Sequence, residues 1–235
     1  MKNKLVQIVI QARSNSSRLP NKVHEKVGDC TILERVIDEC NQSADFINRQ
    51  YGKFKSMVKV SLAVPHRDSI VQRYQRKVHV FQGDEKDVLG RYLGIVRTER
   101  PDLVVRVTAD CVFLPAFVVS RHIKGALYED ADYTSNVLIR TFMEGYDCEV
   151  ISRRCLEYLD SASLPEEREH VTAAIPRLIE KGEFPFTIAH IAERLDLSKI
   201  KTSIDTKEDL ARARHLHDLL KKKKAEMAKT GKVLE

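Results

Sequence analysis

Short apolar runs alternate along the chain with longer stretches in which apolar residues recur every three or four positions. The short runs are rich in β-branched residues and show little in–out alternation, which is typical of strands buried on both faces of a sheet. The pattern predicts strands near residues 6–10, 58–64, 78–81, 103–107, 132–136, 147–151, 186–190 and 200–204.

The longer stretches have the spacing of helices with one apolar face. They predict helices at residues 31–42, after Asp68, at 87–99, 116–128, 153–160 and 166–181, and from Thr206 onward. Thr31 and Glu34 form a capping box at the start of the first helix. Residues 45–57 are predicted to be a surface loop or a short helical insertion.

Alternation of strands and helices indicates a mainly parallel sheet with helices on both faces. There is no internal repeat and no domain boundary in the first 220 residues, so we predict a single domain over residues 1–220. Ligands of such sheets bind at the carboxyl ends of the strands, and polar residues that follow strands therefore carry the functional prediction.

The positive charge of the chain is concentrated at its end. The formal net charge is +6, and residues 221–235 hold six lysines and two glutamates, which leaves +2 for the other 220 residues. A basic tail of this kind is typical of a fraying helix end or a solubilising extension. We interpret residues 221–235 in this way and predict no binding to nucleic acid.

The cysteines and the first residues of the chain predict the cellular compartment of the protein. The five cysteines are odd in number and contain no C-x-x-C pair, which argues against a disulfide framework and a zinc site. The first apolar run is too short for a signal peptide or a membrane span. These features predict a cytoplasmic protein with no membrane contact.

A polar loop from Gln11 to Lys22 follows the first predicted strand. It contains two arginines, one lysine and three serines within twelve residues, and it contains no glycine. A triphosphate requires cations, hydroxyls and free backbone N–H groups in one place, and this loop can supply all three. A solvated surface loop is the alternative, and the missing glycines exclude a Walker A motif.

The loop, written Q-A-R-x-x-S-x-R-L-P-x-K, resembles the family of spore coat polysaccharide synthesis protein F. That family is related to the CMP-KDO and acylneuraminate cytidylyltransferases. Further blocks resemble the family in the same order, over about residues 5–215: F-x-G-x-x-x-D-V-L-x-R-Y from Phe81, R-x-T-x-D-C from Arg106, D-Y-x-S-N from Asp132, G-x-D-x-E-V from Gly145, R-E-H-V-T from Arg168 and D-T-x-E-D-L from Asp205. The chain departs from the family with Asn15 and Asn21 in place of loop glycines, and with Val112 in place of proline.

The resemblance implies a Rossmann-like, three-layer α/β/α fold of the nucleotide-diphospho-sugar transferase type. It implies transfer of CMP from CTP to a sugar acid or sugar phosphate, with release of pyrophosphate, in surface polysaccharide or glycoconjugate synthesis. It also implies Mg²⁺ as cofactor and a homodimer. A glycosyltransferase and a non-catalytic nucleotide-binding protein of the same fold stay open.

Two aspartates are predicted to hold the metal ion. Asp110 and Asp205 each end a predicted strand, so both side chains lie at the same edge of the sheet. Carboxylate oxygens are the ligands that Mg²⁺ takes beside phosphates and water. The alternatives are a turn-capping role for Asp110 and a helix N-cap for Asp205.

The remaining site residues take their expected roles from the resemblance. Those expected to bind and stabilise the phosphates are Arg13, Arg18 and Lys22. Those expected to hold the nucleoside are Gln11, Ala12, Gln82, Gly83 and Arg106.

Three further residues are candidates for the acceptor. Asp147 and Glu149 stand two apart in a predicted strand and therefore face the same side. They can contact acceptor hydroxyls or a second metal ion, or form a solvated strand face. His170 can contact the acceptor or be a structural histidine of a helix.

Overall fold

The computed structural model describes residues 4–51 and 57–230. Seven strands form one sheet: β1 (Leu5–Gln11), β4 (Met57–Pro65), β5 (His79–Gly83), β6 (Leu103–Thr108), β7 (Tyr133–Ser135), β8 (Glu149–Ser152) and β9 (Ile188–His190). Two short strands form a separate antiparallel pair: β2 (Lys26–Val27) and β3 (Cys30–Thr31).

The strand order of the sheet is β5-β4-β1-β6-β8-β7-β9, and β8 is antiparallel to both of its neighbours. The other pairings are parallel, which confirms the predicted mainly parallel sheet. After β1 the chain runs outward through β4 to β5 and then returns to β6 on the other side of β1. Such a reversal opens a crevice at the carboxyl ends of β1 and β6.

The described residues form seven α-helices: α1 (Ile32–Tyr51), α2 (Ser69–Tyr74), α3 (Val88–Glu99), α4 (Ala116–Tyr128), α5 (Arg153–Ala162), α6 (Ala174–Glu180) and α7 (Lys207–Thr230). Apolar residues of α1, α2 and α4 pack on one face, and those of α3, α5 and α6 pack on the other. The predicted three-layer arrangement is therefore confirmed. None of the helices in the described ranges combines the length and apolar character needed to cross a membrane.

The central strand shows why both faces are covered. Ile8 and Ile10 belong to the apolar cluster on the α1 side, whereas Val9 between them belongs to the cluster on the α3 side. All three side chains are fully buried. Burial of each contributes roughly 1.5–3 kcal/mol, so neither face of β1 can be left to solvent.

Three elements differ from the prediction. Helix α1 continues to Tyr51 because Ala44 and Ile47 keep its apolar face buried, and residues 52–56 lie outside the described ranges. The stretch predicted as one helix over 166–181 forms a 3₁₀ helix (Pro165–Glu169) followed by α6, since a proline such as Pro176 is tolerated only in the first turn of a helix. Residues 200–204 form no strand and make a single bridge, between Lys201 and Glu144.

The basic end of α7 is expected to be dispensable. Lys222, Lys223 and Lys224 are exposed, whereas Leu210 is buried earlier in the helix. Removing residues 222–235 should leave the free energy of unfolding and activity nearly unchanged, because exposed charges at a helix end contribute roughly 0.3–1 kcal/mol each. Denaturant titration checks this. Leu210→Ala is the destabilised control, in which the free energy of unfolding should fall by about 2–5 kcal/mol. Binding of the full chain to DNA or anionic vesicles at physiological salt, abolished by the truncation, would contradict an inert tail.

Candidate active site

A cleft of about 330 Å³ opens at the point where the strand order reverses. Its floor is formed by the carboxyl ends of β1 and β6, and its walls come from the loop after β1 and from the segments around residues 144–147, 169–170 and 203–205. The polar residues that follow the strands therefore meet in one place, as the position of the switch point requires.

The loop after β1 is anchored by Ser14. The backbone N–H and the hydroxyl of Ser14 donate to the two carboxylate oxygens of Asp68, at 2.8 and 2.6 Å. The carbonyl of Ser14 accepts from the backbone N–H of Asn21, which lies in the left-handed region at φ 59°. The substitution of glycine by Asn21 thus preserves a left-handed turn, whereas Asn15 is not among the positive-φ residues of the described ranges.

Lys22 connects the loop to both predicted metal ligands. Its Nζ lies 3.0 Å from Asp110, 3.3 Å from Asp205 and 2.8 Å from the Ile204 carbonyl oxygen. The side chain is only 12% exposed. The two carboxylates therefore converge on one point, where the Lys22 ammonium lies.

Asp205 is held by further cations. Arg18 lies 2.9 Å and Lys201 3.0 Å from its two oxygens. Burial alone would raise the pKa of Asp205, but the hydrogen bond from Lys201 and the charge of Lys22 outweigh burial and lower it. Asp205 is therefore ionised at neutral pH.

Helix capping at this point falls to other residues. The Thr206 hydroxyl accepts from the backbone N–H of Asp209, and Asp209 accepts from the backbone N–H groups of Asp205 and Thr206. Burial opposes ionisation of Asp209, but the Lys201 hydrogen bond and these N–H groups lower its pKa to about 2. The carboxylate of Asp205 is thus free of the N-cap role and faces the cleft.

The residues present fit a divalent ion that arrives with a nucleotide. Asp110 and Asp205 offer hard oxygen ligands at one point. Within residues 4–51 and 57–230 no group of three or more His, Cys, Asp or Glu residues is placed to hold a metal alone. Mg²⁺ is commonly bound by one or two carboxylates together with phosphates and water, so a pair of aspartates suffices.

The turn around Asp110 contains Val112 at the position where the family has proline. The backbone N–H of Cys111 donates to the Thr108 carbonyl oxygen at 3.2 Å, which closes the turn. Val112 is 1% exposed and packs in a small apolar cluster with Ile204 and Leu210. The substitution therefore exchanges a rigid turn residue for a core contact.

The expectation that Asp147 and Glu149 both stand in one strand is wrong. β8 begins at Glu149, and Asp147 precedes it. Glu149 is 1% exposed, lies 2.5 Å from Arg106 and accepts a hydrogen bond from the Tyr133 hydroxyl. Burial disfavours the charge of Arg106, but Glu149 outweighs burial and raises the pKa of the guanidinium. Glu149 is therefore the counterion of Arg106 beneath the cleft and is not a solvated residue.

Asp147 and His170 both line the cleft. Asp147 lies 3.1 Å from Arg140, and burial raises the pKa of Asp147 despite this partner. His170 is exposed and follows the 3₁₀ helix, so it is not the structural helix histidine considered as an alternative. Next to it, Glu169 pairs with Arg13 at 3.5 Å.

The residues expected to hold the nucleoside divide into two groups. Gln11 and Ala12 line the cleft, as does Arg106. Gln82 and Gly83 are not among the lining residues, and the Gln82 side chain accepts from the backbone N–H of Arg67 instead.

Sequence reasoning gave no role to several of the lining residues, among them Arg91. It is 1% exposed and stands in the D-V-L-x-R-Y block. A cation within an otherwise apolar helix face was the available signal.

Comparisons with known proteins identify the family of the chain. The family model described as "Cytidylyltransferase" matches residues 7–233. The spore coat polysaccharide biosynthesis protein SpsF of Bacillus subtilis is 26% identical over 208 residues, 87% of this chain and 82% of the relative. A solved cytidylyltransferase from Leptospira borgpetersenii is 31% identical with a TM-score of 0.75, over 89% of this chain and 84% of that chain.

A more distant structure shares the fold. CMP:2-keto-3-deoxy-manno-octonic acid synthetase complexed with CTP is 16% identical with a TM-score of 0.67, over 92% of this chain and 99% of that chain. The fold is thus that of Rossmann-like nucleotidyltransferases. Since the family model covers almost the whole chain, this protein is a nucleotidyltransferase that belongs to the cytidylyltransferase family.

Proposed function

We propose that this enzyme transfers CMP from CTP to a sugar acid or sugar phosphate and releases pyrophosphate. The convergence of Lys22, Asp110 and Asp205 at the strand switch point carries the proposal. Family membership and the CTP complex of a structural neighbour support CTP as donor. Similarity to SpsF supports a place in surface polysaccharide synthesis, and we expect a homodimer.

In this proposal the loop after β1 binds the triphosphate. Lys22 and Arg18 move from their carboxylate partners to the phosphates, and Arg13 joins them from the cleft wall. Asp110 and Asp205 hold Mg²⁺, which when bound neutralises charge on the phosphate oxygens. The cations bind more strongly as charge grows on the leaving pyrophosphate, which lowers the barrier.

The acceptor lies on the side of Asp147 and His170. An acceptor oxygen bonds to the α-phosphorus while the bond from that phosphorus to the pyrophosphate oxygen breaks. If the attacking group is a hydroxyl, its proton passes to Asp147, whose raised pKa makes it a stronger base than an ordinary aspartate. No covalent enzyme intermediate is needed, because positioning and electrostatics suffice.

The pH dependence should separate acceptor use from nucleotide binding. The pKa of Asp147 is raised and that of Asp205 is lowered, so Asp147 takes up its proton first as the pH falls. The kcat/KM for the acceptor should therefore fall on the acid side at a pH where CTP affinity is still unchanged. Asp147→Asn should lower the rate and remove this acid limb. A parallel loss of CTP affinity and acceptor turnover would contradict the assignment.

A pyrophosphate-release assay tests the proposed function. The four nucleoside triphosphates are each offered with a panel of sugar acids and sugar phosphates, and Asp110→Asn provides the matched inactive control. We expect release with CTP that depends on the acceptor and is lost in the variant. The proposed function would be overturned if pyrophosphate were released only with a triphosphate other than CTP, or if release from CTP were the same without an acceptor.

A further inference from the structure

A small polar cluster of Ser14, His24, Asp68 and Ser69 lies behind the loop after β1, and none of its members lines the cleft. Asp68 accepts both the backbone N–H and the hydroxyl of Ser14. The Ser14 hydroxyl also lies 3.2 Å from Nε2 of His24 and 2.9 Å from the Ser69 hydroxyl. The loop is thus fastened, on the side away from the cleft, to the segment that follows β4.

Ser14 in turn holds the rest of the loop. Its carbonyl oxygen accepts the backbone N–H of Ser16 at 3.0 Å and that of Asn21 at 2.8 Å. Between these two points Ser16, Ser17 and Arg18 line the cleft. The backbone N–H groups of Ser17 and Arg18 donate to no other residue of the described ranges. Free N–H groups beside a cation suit an anion such as a phosphate, so the cluster controls the part of the loop that faces the ligand.

The turn that carries Asp68 is itself held in an uncommon conformation. Arg67 lies in the left-handed region at φ 60°, which is rare for a residue other than glycine and persists only where neighbouring groups enforce it. Its backbone N–H donates to the side chain of Gln82 at 3.2 Å, and the N–H of His66 donates to the Gly83 carbonyl oxygen at 2.8 Å. The end of β5 therefore supports the turn after β4, although Gln82 and Gly83 do not line the cleft.

We propose that Asp68 is a positioning residue that holds the loop after β1 in its triphosphate-binding shape before CTP arrives. The assignment rests on the proposed CTP-dependent function. Asp68 does not line the cleft, so it acts through Ser14 and not on the nucleotide itself. A loop that is ordered in advance loses less conformational entropy on binding, and the affinity for the triphosphate is higher for that reason.

Anchoring and electrostatics predict opposite effects of Asp68→Asn. The substitution removes a negative charge from behind the loop, and by charge alone this should tighten binding of an anion. Asparagine caps a helix as well as aspartate does, so its amide oxygen stays with the N–H of Ile70 at the start of α2. Its NH₂ group then faces the N–H of Ser14, and the bond that holds the loop is lost.

Calorimetric titrations with inorganic tripolyphosphate and with CTP test the proposal without an acceptor. Asp68→Asn should weaken both ligands by about tenfold, which corresponds to the loss of a single hydrogen bond. The KM for CTP should rise while kcat at saturating CTP stays within about twofold, because the bound ligand restores the loop. Asp102→Asn is the matched control. Asp102 accepts the backbone N–H of Leu5 at 2.8 Å, at the opposite edge of the sheet, and its substitution should change neither affinity.

A second variant tests whether the two residues act through one contact. Ser14→Ala removes the hydroxyl but keeps the backbone N–H bond to Asp68, so it should weaken tripolyphosphate by about threefold. The double variant should lose less affinity than the product of the two single effects, because residues in direct contact are coupled. Independent effects that multiply would show that Asp68 does not act through Ser14.

Other outcomes would also overturn the proposal. Tighter or unchanged tripolyphosphate binding by a folded Asp68→Asn variant would leave Asp68 as a helix cap only, and equal weakening by Asp102→Asn would indicate a general loss of stability. If Asp68→Asn fails to fold by thermal melting, Ser14→Ala decides, and unchanged affinity in that variant overturns the proposal. Wild type that binds tripolyphosphate but not CTP would contradict the proposed function alone, whereas binding of neither would contradict both.

Discussion

Asp110→Asn and Asp205→Asn are each expected to lower kcat by on the order of 10³-fold at saturating CTP and Mg²⁺. Each substitution removes one of two charges that converge at the centre of the cleft. The loss should come from the chemical step, because the phosphates are most negative in the transition state. Steady-state kinetics measures it, and Asp218→Asn, an exposed aspartate of α7, is the control.

The folded state of these variants must be checked, since Asp205 also pairs with Arg18 and Lys201. Thermal melting should show that both variants fold. A folded Asp110→Asn or Asp205→Asn variant with near wild-type kcat would show that the carboxylate is not a required metal ligand.

Lys22→Met is expected to change two properties in opposite directions. Turnover should fall by roughly 10²- to 10³-fold, because a charge that stabilises the leaving pyrophosphate is lost. Binding of Mn²⁺ to the nucleotide-free protein should tighten about tenfold or more, because the ammonium no longer competes at 3.0 and 3.3 Å from the two carboxylates. Electron paramagnetic resonance titration of free Mn²⁺ measures the second effect.

The opposite signs distinguish competition from a general loss of structure. Lys221→Met, on the exposed face of α7, should change neither property. Unchanged or weaker Mn²⁺ binding by a folded Lys22→Met variant would show that the two carboxylates do not form the metal site.

Much of the fold follows from local patterns in the sequence. The central strands are evident because residues such as Ile8 and Val9 are apolar on both faces, which few other structures permit. The ends of helices are harder to predict from the sequence. Helix α1 continues past residue 45 because burial of Ile47 in the tertiary structure outweighs the effect of its polar neighbours. Pro176 did carry a usable signal, since a proline cannot stand inside one helix from 166 to 181.

The candidate site was predictable where it depends on strand ends. Lys22 and Asp110 come together because the parallel strands β1 and β6 place their carboxyl ends at one edge. Asp205 follows no strand, and the backbone N–H of Ile204, which donates to the Asp110 carbonyl oxygen, brings it to the same place. Glu149 was misjudged because its environment depends on antiparallel register, which pairs it with Arg106 across β6 and β8. Spacing within one strand does not show which residue stands opposite.

Identifying which bond of CTP is broken tests the proposed cytidylyl transfer most directly. CTP labelled with ³²P at the α-position is incubated with an acceptor that supports pyrophosphate release, and the products are separated before and after treatment with alkaline phosphatase. We predict that the α-label stays in a phosphatase-resistant compound of CMP and acceptor, whereas a γ-label appears in pyrophosphate. Recovery of the α-label only as inorganic phosphate, or only in unreacted CTP under every condition, would contradict cytidylyl transfer.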